Sequence, residues 1–121
     1  MSSTVALRIA GFAGFLAVAL GAFGAHGLKA TFEANGNLPI WQTAASYHLV
    51  HAVVLVLLAT RATIARWSFI LFSVGILIFS GSLYLLAVTN IKWLGAITPI
   101  GGLCLLAGWL VLAFGRPCVR L

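Results

Sequence analysis

His48 and His51 stand three residues apart in an apolar run, a spacing that places both imidazoles on one face of a helix, where they could share a metal ion or relay a proton. His26 precedes them. A carboxylate beside such a pair would complete a ligand set or fix a tautomer, but the only acid, Glu33, falls outside the apolar runs. Two readings of the histidines stay open. They either hydrogen-bond across helices to Ser80, Ser82, Tyr84 or backbone carbonyls, or they contact a small ligand, metal or haem. No cofactor is expected, with metal or haem contact left open at His48 and His51.

The cysteines add no chemistry. Cys104 and Cys118 are fourteen residues apart, ~21 Å along a helix and too far for a disulfide. They match no zinc or redox spacing, and Cys118 is left as a position that lipid could modify. No Ser, Cys or Lys sits in a nucleophile motif, so an enzyme is not expected.

The elements that must hold these side chains are membrane helices. Of 121 residues, 63% are hydrophobic and 7% charged, and mean hydropathy is +1.17. A soluble domain carries about a quarter charged residues, so water cannot cover this chain. Four apolar runs, about 6–26, 40–60, 67–89 and 93–114, each match the ~20 residues that cross a bilayer. They predict a single all-α membrane domain over 1–121, a compact bundle of four transmembrane helices. The loop 27–43 has room for a short interfacial helix over 28–34, ended by Asn35-Gly36-Asn37.

Arg8 followed by Ala22-Phe23-Gly24-Ala25 also has the look of a secretory signal; the expectation is that the first run is a retained helix. Arg8, Arg61, Arg66, Arg116 and Arg120 fall on one side of a four-span topology, and only Lys29 and Lys92 on the other. The positive-inside rule then makes both termini cytoplasmic. The net charge of +6 reads as topology and attraction to anionic lipid, with no nucleic-acid partner. Trp41, Trp67 and Trp93 open their runs as interfacial anchors should, whereas Trp109 lies too deep for that role.

Polar residues gather in one half of the spans. Descending 1.5 Å per residue from Trp41, His48 lies roughly 10 Å and His51 roughly 15 Å below the outer interface. Ser80, Ser82 and Tyr84 share that half, as do Thr98, Tyr47 and, at its edge, His26. The expectation is an outward-facing polar pocket formed by these eight residues above an apolar plug, not a continuous channel. Pro99, with Gly101 and Gly102, predicts a kink in the fourth helix at the same depth. On the first helix Ala13, Ala17, Gly21 and Ala25 recur every fourth residue. Such a stripe admits a close neighbour, either within the bundle or from another membrane protein.

Four ordered motifs carry a family resemblance: Gly21-Ala22-Phe23-Gly24-Ala25-His26-Gly27-Leu28; Trp41-Gln42-Thr43-Ala44 with Tyr47-His48 and His51-Ala52; Phe79-Ser80-Gly81-Ser82-Leu83-Tyr84; and Leu94-Gly95-Ala96-Ile97-Thr98-Pro99-Ile100-Gly101-Gly102. From about residue 11 to residue 109 the chain resembles family four-two-three of the domains of unknown function, the YgdD-like small membrane proteins. The resemblance implies a multi-pass four-helix inner-membrane protein and names no reaction. With no soluble domain and small-residue helix faces, the expected function is an accessory or assembly subunit of a larger membrane complex. Its expected partners are membrane lipid and other membrane subunits or further copies of itself. The alternative is a transporter or binder of a small ligand, ion, metal or haem, working through the three histidines.

Overall fold

In hydrocarbon every backbone N–H and C=O must be satisfied within the protein, so a long apolar run has the helix as its solution. The computed structural model describes residues 2–61 and 63–115, and no strand occurs among them. Arg116, Cys118 and Arg120, on which part of the orientation argument and the lipidation site rest, lie outside the described residues.

Helix α1 runs Ser3–Ala25 and is capped by Ser2, whose side chain accepts from the Val5 N–H at 3.2 Å. Helix α2, Lys29–Asn35, occupies the loop where a short helix is expected; Gly36 stops it with a left-handed φ of 70° and returns its N–H to the Phe32 carbonyl at 2.8 Å. Helix α3, Leu38–Ala59, carries Pro39 in its first turn, where a missing N–H leaves no bond unmade. The third span, Arg66–Thr89, is α4 (Arg66–Gly75), a π-helical stretch (Ile76–Ser80) and α5 (Gly81–Thr89). The fourth, Lys92–Phe114, is a 3₁₀ segment (Lys92–Ala96) leading into α6 (Thr98–Phe114). All four spans are long and apolar enough to cross a membrane, and the fold is an all-α arrangement of them.

The irregularity in the fourth span lies just before Pro99 rather than at it. The 3₁₀ segment ends at Ala96 and α6 begins at Thr98, so the proline occupies a first turn and removes no intrahelical bond. Gly101 has a different task. A Cβ on it would collide with the backbone N and Cα of Phe79, so α6 lies directly on the π-helical stretch. Gly102 lacks that constraint, its nearest neighbour being the Phe79 ring 3.7 Å from an ideal Cβ.

Pairs along this interface run antiparallel: Gly101 meets Phe79, Leu105 meets Gly75, and Gly108 meets Phe72. On the opposite side of the molecule α1 packs chiefly along α3. Its buried positions are Ala6, Ala10, Ala17 and Gly24, with half-buried Ala13 and Leu20 completing an alternation of four and three. The strict four-residue stripe cannot stay on one interface, because each step overshoots a full turn by ~40°. Ala17 is buried, Ala13 and Gly21 are half-buried, and Ala25 is exposed. The early part of that stripe therefore packs inside the chain, against α3.

One core joins all four spans near the chain termini, built on Ala6, Ala10, Leu55, Leu58, Phe69, Phe72 and Leu105. A smaller one, Phe32, Trp41 and Ala87, sits at the end that carries α2. Outside them Phe12, Phe15 and Leu77 are 69%, 67% and 74% exposed, a surface for lipid or a neighbouring membrane helix rather than water. Trp67 and Trp93 are exposed, as interfacial anchors are; Trp41 is not. It is buried, and its indole donates to the Leu20 carbonyl of α1 at 2.9 Å over Gly24, whose missing Cβ makes the room.

Candidate functional site

The polar side chains of the spans meet in pairs, each pair tying one helix to another. Ser80, completely buried, donates to the Ala44 carbonyl of α3 at 2.9 Å. Ser82 and Thr98 bring their hydroxyls to 2.6 Å and link α5 to the start of α6. Tyr84 and His48 join α5 to α3 through the phenol oxygen and Nδ1, 2.9 Å apart. A buried hydroxyl or imidazole in lipid needs such a partner, and each of these has found one within the protein.

His51 is the most constrained. The Trp109 indole N–H can only donate, and it points at His51 Nε2 from 3.0 Å, so that nitrogen is the acceptor. The proton then resides on Nδ1, which donates to the Tyr47 carbonyl one turn earlier at 2.7 Å. His51 is thus a neutral imidazole in a single tautomer with both nitrogens occupied. Phe72 and Trp109 pack around it with ring centroids 5.5 and 5.9 Å away. The depth of Trp109, unexplained as a membrane anchor, is explained as this contact.

The three histidines do not converge. His48 faces Tyr84 of α5, His51 faces Trp109 of α6 and Phe72 of α4, and His26 is exposed at the end of α1. Tyr47 is 47% exposed with its ring against Phe79 at 4.8 Å. Among the described residues no group of three or more His, Cys, Asp or Glu side chains could hold a metal ion. The eight candidate residues therefore form an interhelical network with outliers at Tyr47 and His26 rather than the wall of one cavity.

Hollows exist as well, a shallow one of ≈ 320 Å³ beside Arg8, Gly11, Phe12 and Phe15 and two larger ones. One, ≈ 370 Å³, opens at the α2 end beside Lys29, Glu33, Trp41 and Gln42 and touches none of the histidines. The other, ≈ 650 Å³, is an apolar groove between α1 and the third span, and His48, Ser80 and Tyr84 reach its floor.

A second polar cluster has no counterpart in the sequence reading. Asn35 and Asn37 both donate through Nδ2 to the Ala87 carbonyl, at 3.0 and 3.3 Å, and Asn37 also donates to Asn90 Oδ1 at 3.1 Å. They strap α2 and its turn onto the end of α5. Asn35-Gly36-Asn37 reads locally as a helix stop, and only the long-range partner shows the strap. Ser68 is another case, completely buried and donating to the Gly108 carbonyl at 3.2 Å.

Comparison with known proteins agrees with the fold. Residues 20–102 match the family model described as "Protein of unknown function (DUF423)". The chain is 44% identical over 106 residues to the UPF0382 membrane protein YwdK of Bacillus subtilis, covering 80% of this chain and 83% of that one. It is 42% identical over 113 residues to a UPF0382 membrane protein of Haemophilus influenzae, covering 90% of each. To the UPF0382 inner membrane protein YgdD of Escherichia coli it is 38% identical over 120 residues, covering 95% of this chain and 91% of the relative. No solved structure matches. With four membrane-crossing helices and relatives of this kind along nearly its whole length, the chain belongs to the DUF423 family, as a multi-pass protein of the inner membrane.

Proposed function

We propose that this protein is a non-catalytic accessory or assembly subunit of a larger membrane complex, with both termini in the cytoplasm. The observation that carries the reading is the internal commitment of its polar side chains. His48, His51, Ser80, Ser82, Tyr84, Thr98 and Trp109 all bond to one another or to backbone. A reaction centre or transport site needs groups held free toward a substrate, and a nucleophile or base with a reacting atom in reach. The apolar outer surface of the spans is open to another molecule and suits helix–helix association.

The test is purification of the full chain from its native membrane in mild detergent or directly into lipid discs. A stable particle well above the 12.7 kDa of one chain, with a reproducible companion polypeptide, is expected. A lone monomer under both conditions would argue against the proposal.

A further inference from the structure

We infer that the groove between α1 and the third span is a seat for one anionic phospholipid, its acyl chain in the groove and its phosphate on Arg8. The groove has a charged mouth and an apolar length. Arg8 lines it near the start of α1, exposed, and among the described residues no acidic side chain pairs with it; the one acid of the chain, Glu33, lies at the opposite end, on α2. The Cα–Cβ bond of a helical residue tilts toward the helix N-terminus, so the Arg8 guanidinium is directed toward the membrane surface at that end. An anion at headgroup level is the partner this geometry offers.

From Arg8 the α1 wall continues through Phe12 and Leu16 to Leu20, twelve residues on, ~18 Å of helix. One leaflet of a ~30 Å hydrocarbon core is ~15 Å deep, so the groove is the length of a single acyl chain. It has an end: Leu20 and Tyr84 both line it, and behind them Trp41 packs on Tyr84 at 4.6 Å and bonds the Leu20 carbonyl.

The hydroxyls on its floor are already bonded within the protein. Ser80 donates to Ala44, Ser73 donates to the Phe69 carbonyl at 2.8 Å, and Tyr84 is bonded to His48. An alkyl chain leaves every one of those bonds intact.

Native mass spectrometry of the full chain, released from discs of mixed phosphatidylglycerol and phosphatidylcholine, tests this. A one-to-one adduct with the anionic lipid is expected in preference to the zwitterionic one. Arg8→Gln lowers its retention about fivefold, which is ~1 kcal/mol, while Arg66→Gln, at the same end but outside the groove, leaves it unchanged. Gly81→Leu blocks the groove without touching Arg8: an ideal Cβ at Gly81 meets nothing within 4 Å, and the position lines the cavity. It is expected to abolish the preference while helicity and thermal stability persist, which separates a filled groove from a damaged fold. Equal retention of both lipids by the parent chain would overturn the inference. So would an anionic adduct that survives both Arg8→Gln and Gly81→Leu, or a cross-linked second copy of the chain in the groove.

Discussion

The hydrogen bond from Trp109 to His51 shows what a polar residue inside this protein is for. Interhelical hydrogen bonds in membranes average about 0.6 kcal/mol and reach about 1.7, and this one lies between residues 58 positions apart, joining α3 to α6. A double-mutant cycle of Trp109→Phe and His51→Ala, read by thermal unfolding in lipid discs, is expected to give a coupling in that range; zero coupling would mean the contact is incidental. The same geometry occupies the lone pair a metal would need. Metal analysis and an absorption spectrum of the purified protein are therefore expected to show no stoichiometric metal and no haem band. At this scale the sequence names the right residues, since the cost of burying His48, His51, Ser80 and Tyr84 singles them out. It does not name their partners. Two imidazoles three apart on one helix read as a pair until the neighbouring helices divide them, one to Tyr84 and the other to Trp109 and Phe72.

At the scale of elements, α6 and the π-helical stretch meet backbone against backbone at Gly101 and Phe79. Gly101→Ala is expected to destabilise by about 1–3 kcal/mol, because the new methyl meets Phe79 main chain, which cannot rotate away. Gly102→Ala, next to it, should lie within about 0.5 kcal/mol of the parent. Equal effects at the two positions would contradict the packing described. The Asn strap makes its own prediction: Asn37→Ala leaves α2 less firmly held and raises amide exchange across 28–37, with the spans unaffected. Span positions and the short α2 are legible in the sequence because hydropathy, Pro39 and the Asn-Gly-Asn turn act locally. The π-helical stretch is not, since nothing in Ile76-Leu77-Ile78-Phe79-Ser80 departs from ordinary helix. Pro99 predicts a break in the fourth span, and the break falls at Ile97, where the 3₁₀ segment gives way to α6 with the proline in its first turn.

At the scale of the whole molecule the protein is four spans with apolar outer faces, one core that joins all four and a smaller one beneath α2. The composition makes the membrane legible from the outset, and the charge pattern supplies an orientation: a reporter fused to the C-terminus should be active in the cytoplasm and silent when it is a periplasmic one. An assembly role belongs to this scale too, because it needs the outer surface rather than any one residue. Phe15 on α1 and Leu106 on α6 are 67% and 62% exposed and sample the first and the last span. Replacing each in turn with a photo-cross-linking amino acid and irradiating the protein in its native membrane, before any detergent, tests the assembly role. A discrete polypeptide cross-linked from at least one of the two positions is expected; cross-links to lipid alone from both would contradict the assembly role.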